Sequence, residues 1–415
     1  MNSIAQKNIR LFYGITIAST VSAELALGFL FTQYLNRVES ASSLTLGVIN
    51  AAWGGASFSA SYCAALHSDD ARRRAPYILA NAALVFSATT VYVCAVWVGR
   101  ILHAGTLTIY LLVGTAYVLD GIGVSVGTPP REALLVECVP SPHSLTTMYT
   151  RLSILSEIVS VLVNGTVFVQ LFEWDATWSH ADLQYVFAVG IGAWVVYTVL
   201  LTRFQDIQEP ALIRHSLLPR RDAFHTARVA LVIQSAALSV ASGLSTTFMA
   251  LYLVDVLLFS PSDAAAVAFV TSGVTLVGTS LFLRLAQSTA PTKLGAVVIV
   301  RVCLVTVLLG WLLFARNAAP YAIVAFNAAV TAPRPVTESV LMSLTTRDNA
   351  AQWATWNNLG MLVWSLSAAL GGYLVHSWGY IFTFYCGTAA LMISTVSLTC
   401  ACRASGERSR EVPAH

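Results

Sequence analysis

Asp120 and Arg131 are the two side chains whose types and spacing most directly suggest chemistry. They stand in DGIGVSVGTPPREALLVE, a stretch otherwise apolar enough for lipid. A charge at membrane depth costs about 2.5 to 3.5 kcal/mol on insertion scales and is retained only where a partner or a wet path receives it. Eleven residues of helix turn through about 1100°, to within about 20° of the start, and rise about 16 Å. The pair therefore shares one helix face without touching, provided Pro129 and Pro130 do not rotate that face away. A carboxylate at mid-membrane is a natural proton acceptor, because desolvation penalises its charge and a proton relieves it. Alternatively, each residue forms a structural ion pair with another helix.

Other ionisable side chains fall within apolar segments: Glu24, Arg151, Glu157, Arg301, and Arg334 with Glu338. Glu24 lies in the middle of STVSAELALGFLFTQY and is a candidate cavity residue. Glu157 could pair with Arg151 or Arg131, whereas Arg334 and Glu338 are four apart and can pair within their own helix. Candidate solute-binding groups are Gln33, Trp53, Asn164, Asn327, Trp356, Asn357 and Asn358, since a polar ring compound needs amide partners and an aromatic face. Tryptophan is equally a membrane-interface residue, and asparagine also joins helices.

The elements that must position these groups follow from composition. Apolar residues make up 56% of the 415-residue chain and charged ones 10%, against about 25% charged in soluble domains. This is an integral membrane protein, with the lipid bilayer as its medium. Apolar runs long enough to span the hydrocarbon as helices recur near 11–34, 44–66, 76–99, 105–136, 149–172, 183–203, 227–256, 263–284, 291–315, 319–345, 351–376 and 379–402, twelve in all. The fourth and tenth are long and contain Pro129 with Pro130 and Pro333 with Pro335, where each is expected to break or bend. Most Lys and Arg fall in alternate connections, leaving only Arg37, Arg100 and Arg316 in the others. The positive-inside rule then puts both termini in the cytoplasm. The plasma membrane is the expected location, and the N-terminus offers a full span rather than a cleavable signal.

Several classes of function are disfavoured. The net charge of +3 is spread over the connections and forms no patch for nucleic acid. No nucleophile, base and orienter recur at useful spacing, and no metal or phosphate motif is present, so neither an enzyme nor a cofactor is expected. The seven cysteines read as core residues, with acylation of Cys400 and Cys402 as the alternative.

The chain also repeats. An offset of 206 residues superposes TPPREALLVECV on APRPVTESVLMSL, bringing Pro129 onto Pro335, Glu132 onto Glu338 and Leu135 onto Leu341, and Gly165 onto Gly371. This predicts two pseudo-symmetric six-helix bundles, 1–203 and 227–402, joined by a cytoplasmic linker at 204–226 and followed by a polar, disordered cytoplasmic tail at 403–415. That is the plan of the major facilitator fold, whose solute site lies between the halves.

The loop AALHSDDARRRAPYI resembles the signature loop of the major facilitator superfamily, glycine-x-leucine-alanine-aspartate-arginine-x-glycine-arginine-arginine. Asp69 matches the aspartate and Arg73 and Arg74 the arginine pair, while Asp70 and Arg72 depart from it. The resemblance implies a cytoplasmic clamp made by Asp69, Arg73 and Arg74; a plain positive-inside anchor would also explain the arginines. Leu119, Asp120, Pro129, Arg131, Leu134, Leu135 and Glu137 are similar to the fourth-helix pattern of plant sucrose transporters and the glycoside-pentoside-hexuronide cation symporters, with the last acid shifted by one. Ser68, Asp69, Arg72, Arg73, Arg74, Pro76, Tyr77 and Ile78 look like a shortened form of their preceding loop. The resemblance implies proton coupling at Asp120 and solute or proton handling at Arg131, and animal members of the resembled group also tend to carry a first-helix glutamate, as Glu24 is here; Glu157, read from its place in a span, is a further candidate proton-coupling group. The resemblance also implies proton-coupled symport of a sugar or other small polar organic solute by a monomer, through alternating access. An exporter or uniporter of another solute, or a non-transporting sensor or scaffold on the same fold, is the alternative.

Overall fold

The computed structural model describes residues 3–71, 74–98, 105–139, 142–173, 175–207, 225–284, 290–314, 318–343 and 350–409. Side chains are left out at several further positions, notably 65–71, 142–146, 350–358 and 405–409. The described regular structure is helical throughout: α1 Ser3–Ser22, α2 Phe29–Arg37, α3 Ser43–Ala71, α4 Ala75–Val93, α5 Thr106–Cys138, α6 Pro142–Glu173, α7 His180–Leu201, α8 His225–Asp255, α9 Pro261–Arg284, α10 Ala290–Phe314, α11 Ala319–Thr331, α12 Arg334–Ser343, α13 Ala350–Trp378 and α14 Tyr380–Ser409.

Lipid dictates this choice, because each backbone polar group must find its partner inside its own segment. Hydroxyls obey the same constraint. Thr115, Thr166 and Thr306 are exposed on the helix exterior and donate to the carbonyls of Leu111, Leu162 and Val302 one turn back, at 2.8, 2.8 and 3.0 Å. The surrounding exterior is apolar, with Leu107, Leu111, Phe172 and Val396 all exposed. A soluble protein would bury such a belt; here it meets hydrocarbon.

Ten helical runs among the described residues are long and apolar enough to cross a membrane. α3 and the broken pair α11 and α12 complete the twelve spans. The first span comprises α1 and α2, joined by a π-helical turn at Ala23–Leu27 that contains Glu24. The two proline sites behave differently. The tenth span breaks at Ala332 and Pro333 between α11 and α12, whereas α5 runs through Pro129 and Pro130 without interruption. The cysteine expectation needs correction: Cys138 is buried, but Cys63, Cys94, Cys303 and Cys400 are exposed. A thiol is apolar enough to face lipid, so membrane depth does not imply a core position.

An even number of spans puts both chain ends at one end of the bundle, called here the terminal end, and the α2/α3 connection at the distal end. α1 packs on α6 and α7, and α5 on α3 and α4; α8 and α10 pack on α14, and α9 on α11. Across the middle, α3 meets α13 and α6 meets α9. These are spans two with eleven and five with eight, so a shift of six spans exchanges the two contacts. This is the two-bundle arrangement expected from the repeat.

Capping residues fix the distal starts of α7 and α9. Ser179 accepts from the backbone N–H of Asp182 at 3.2 Å, and Ser260 accepts from that of Asp263 at 3.2 Å. The central seam depends on missing side chains. A Cβ on Gly372 of α13 would fall 2.5 Å from the Ser43 carbonyl oxygen of α3, and one on Gly54 of α3 would fall 1.8 Å from Ser365 Oγ. Small residues let two helix backbones meet where lipid offers no hydrophobic drive for association.

Candidate functional site

Between the halves lies a cavity of about 450 Å³. The N-terminal half contributes Asn50 and Trp53 from α3 and Tyr117 and Asp120 from α5. The C-terminal half contributes Gln234, Ser235, Ser239 and Ser242 from α8, Arg301 from α10, Thr331 from α11, Arg334, Thr337 and Glu338 from α12, and Trp364 from α13. Its walls run from mid-depth toward the terminal end, since Leu231 and Gln234 lie in the first turns of α8 and Leu341 near the end of α12.

Asp120 is buried, at 4% exposure. Its carboxylate accepts the indole N–H of Trp53 across 3.1 Å, so its hydrogen-bond partner is neutral rather than a cation. The local fold explains the approach. A Cβ on Gly121 would fall 2.6 Å from the Trp53 carbonyl oxygen, so glycine lets α3 close on α5. Ser57 Oγ then donates to the Gly121 carbonyl at 3.0 Å one turn below. The Trp53 ring also meets Trp364 of the other half in a T-shaped contact, with centroids 6.1 Å apart.

Arg131 does not line the cavity. Its Nη1 donates to Tyr197 of α7 at 3.0 Å, inside the N-terminal bundle. The face it was expected to share with Asp120 is thus not presented as one surface. α5 continues unbroken through Pro129 and Pro130, so it is the hydrogen bond to Tyr197 that draws the Arg131 guanidinium away from the cavity.

Glu24 and Glu157 are brought together at a second polar cluster. Ser160 donates to Glu24, Asn164 donates to Glu24 Oε2 at 3.2 Å, and the same amide donates to Ser272 of α9 at 3.1 Å. Glu157 lies within electrostatic range of Glu24. Asn164 therefore links the halves rather than lining the cavity. Gln33 is fully buried in α2 with both amide atoms unpartnered among the described residues, away from the cavity wall. Asn327 is partly buried on α11, one turn before the lining residues Val330 and Thr331. The side chains of Trp356, Asn357 and Asn358 lie outside the described residues.

The repeat register has a spatial counterpart. Glu132 and Glu338, superposed by the 206-residue offset, lie within electrostatic range of each other, together with Arg131 and Arg334. Arg334 Nε pairs with Glu338 Oε1 at 2.8 Å, one turn apart on α12.

At the distal end, Arg37 Nη2 sits 3.2 Å from Asp255 Oδ1 and donates to the Val254 carbonyl at 2.6 Å, while Tyr380 donates to Asp255. This joins α2 to α8 and α14 across the two halves. At the terminal end of the N-terminal bundle, Asp206 Oδ1 accepts the backbone N–H groups of Arg74 and Ala75 at 2.7 and 2.9 Å. Arg74 Nε lies 3.8 Å from Glu137. Arg74 thus has Glu137 near its guanidinium and Asp206 at its backbone N–H; Arg73 and the Asp69 side chain, the other members of the expected clamp, lie outside the described residues.

Arg301 and the α8 stripe are among the lining groups that the sequence analysis left without a role, with Asn50, Tyr117, Gln234 and Trp364. Ser235, Ser239 and Ser242 recur at helical spacing on one face of an apolar span, a signal readable from sequence. Arg301 stood in view as an intramembrane cation, but no neighbour in sequence indicates what it faces.

No protein-family model matches this chain, and no curated protein matches it. Solved structures do. A bacterial homologue of the iron transporter ferroportin in an outward-facing state superposes with a TM-score of 0.65 at 14% identity, covering 96% of this chain and 99% of that one. A D-xylose-proton symporter matches at 0.64 and 15% identity, over 95% and 96%. The human organic anion transporter MFSD10 (TETRAN) matches at 0.63 and 14%, over 95% and 98%. At such identity the likeness establishes the fold alone, an arrangement of two six-span helical bundles.

Proposed function

We propose that this protein is a secondary transporter working by alternating access, and that it couples a proton to the movement of a small polar organic solute, sugars included. The observation that carries the reading is Asp120: a buried carboxylate in the wall of the cavity between the halves, held by a neutral indole. A group of this kind can gain and lose a proton without breaking an ion pair, and the neighbouring Trp53 touches the opposite half. A scaffold without transport would have these polar groups paired and dry, whereas here hydroxyl, amide and aromatic side chains converge on open space. The lining contains no His or Cys among the described residues, which favours an organic solute over a soft metal ion.

Membership of the sucrose-transporter-like group, a plasma-membrane location with cytoplasmic termini, and function as a monomer belong to the same proposal. So does the division at 1–203, 204–226 and 227–402; the segment expected as a disordered tail from 403 instead continues α14 as far as Ser409. With that orientation the cavity reaches toward the cytoplasm and the Arg37 to Asp255 pair closes the outer side. Glu24 and Glu157 are proposed as accessory proton groups. The test is uptake of radiolabelled mono- and disaccharides and other polar solutes into proteoliposomes, with and without an inward proton gradient. Gradient-driven accumulation lost in Asp120→Asn supports the reading; accumulation that survives the substitution removes Asp120 from coupling.

A further inference from the structure

We propose that the solute is an organic anion and that Arg301 receives its carboxylate. The proposal deepens the transport reading above and rests on it. Arg301 is 1% exposed, in the middle of α10, and lines the cavity. Its Nε and Nη1 have no hydrogen-bond partner among the described residues. Arginine cannot shed its charge, so an unpartnered guanidinium at this depth is a standing cost of several kcal/mol.

The other charged groups on the wall do not relieve it. Arg334 and Glu338 satisfy each other at 2.8 Å, and Asp120 is held by Trp53. Among the described residues Arg301 is thus a cation on the wall that no carboxylate contacts, and once Asp120 is protonated the guanidinium has no counter-charge there. Its planar, forked donors match a carboxylate better than a spherical ion. The rest of the wall fits an organic body rather than a bare inorganic anion. Serine, threonine and amide groups line it together with the indoles of Trp53 and Trp364, and about 450 Å³ is in the range of small-molecule sites.

The experiment measures ligand-induced thermal stabilisation of the purified full chain in detergent, using three matched pairs: lactate with propane-1,2-diol, gluconate with glucitol, and benzoate with benzyl alcohol. At least one carboxylate is expected to stabilise the wild type while its neutral partner does not. Arg301→Gln should weaken that effect roughly tenfold to a hundredfold in concentration, and Arg301→Lys should keep part of it. Arg301→Gln, relieved of a buried charge, should fold at least as well without ligand, so loss of response would not be loss of structure.

Stabilisation by a neutral compound alone, or by a carboxylate equally in Arg301→Gln, overturns the assignment and leaves the polar-solute reading standing. An equal effect from chloride or phosphate overturns the organic class. No response to any of the six overturns the carboxylate assignment, while the transport reading stands or falls separately by the flux of Asp120→Asn.

Discussion

Trp53 donates its indole N–H to Asp120 across 3.1 Å while its ring meets Trp364 of the other half edge-on at 6.1 Å. One side chain thus touches both the candidate proton site and the seam that must open and close. Protonating Asp120 weakens what the indole N–H can donate to, since a charge-assisted hydrogen bond is stronger than a neutral one. Trp53→Phe keeps a ring at the seam and deletes the N–H. Proton-driven accumulation should fall several-fold in this variant while solute exchange at equal pH persists, and parallel uptake and counterflow assays check it. Equal loss in both assays would assign Trp53 to solute binding instead.

Gly372→Ala places a methyl group 2.5 Å from the Ser43 carbonyl oxygen, on backbone that cannot rotate away. α3 and α13 must separate at the distal end. Overpacking of this kind costs about 1 to 3 kcal/mol, and the closed distal arrangement bears the cost. Thiol labelling of Ser43→Cys should quicken in the Gly372→Ala background, with a lower melting temperature.

The Arg37 to Asp255 pair is partly exposed, at 35% and 28% for the two side chains. Such a pair contributes about 0 to 1 kcal/mol to stability. Asp255→Asn should barely move the melting temperature, yet it should raise distal accessibility, because the pair spans the two halves and strains nothing within either. Exchanging the charges, with Arg37→Asp and Asp255→Arg together, should restore part of the closure; a double-mutant cycle on labelling rates measures the coupling.

Glu24 accepts from Ser160 and Asn164. Glu24→Ala leaves two buried donors without an acceptor and should cost about 1 to 3 kcal/mol of stability. Glu24→Gln keeps an acceptor and the shape, so it should fold nearly normally. A change in proton dependence in the Gln variant, with its melting temperature preserved, would separate a coupling role from a structural one.

Much of the fold was legible because lipid imposes a rule that acts on one segment at a time. Twelve apolar runs, the 206-residue register and the proline pair in the tenth span could each be read without knowing what any helix touches. The break at Ala332 and Pro333 agrees with that reading. The second proline pair did not break α5, since proline only removes donors and the packing of neighbours decides whether the helix yields. Asp120 and Trp53 were legible as cavity residues for the same local reason: a carboxylate and an indole in apolar surroundings are conspicuous.

Which polar groups meet was not legible. Arg131 stands in the same motif as Asp120 but turns to Tyr197, and Glu24 meets Ser160 and Asn164 from far along the chain. Arg301 became informative only when its Nε and Nη1 proved to have no hydrogen-bond partner among the described residues. The sequence by itself determined that this chain lives in a membrane, crosses it twelve times and repeats itself, because span length and apolarity are properties of each segment alone. Only the tertiary structure decided which charged groups are paired and which lack a partner among the described residues, because electrostatic compensation in low dielectric depends on distances between helices that no sequence spacing records.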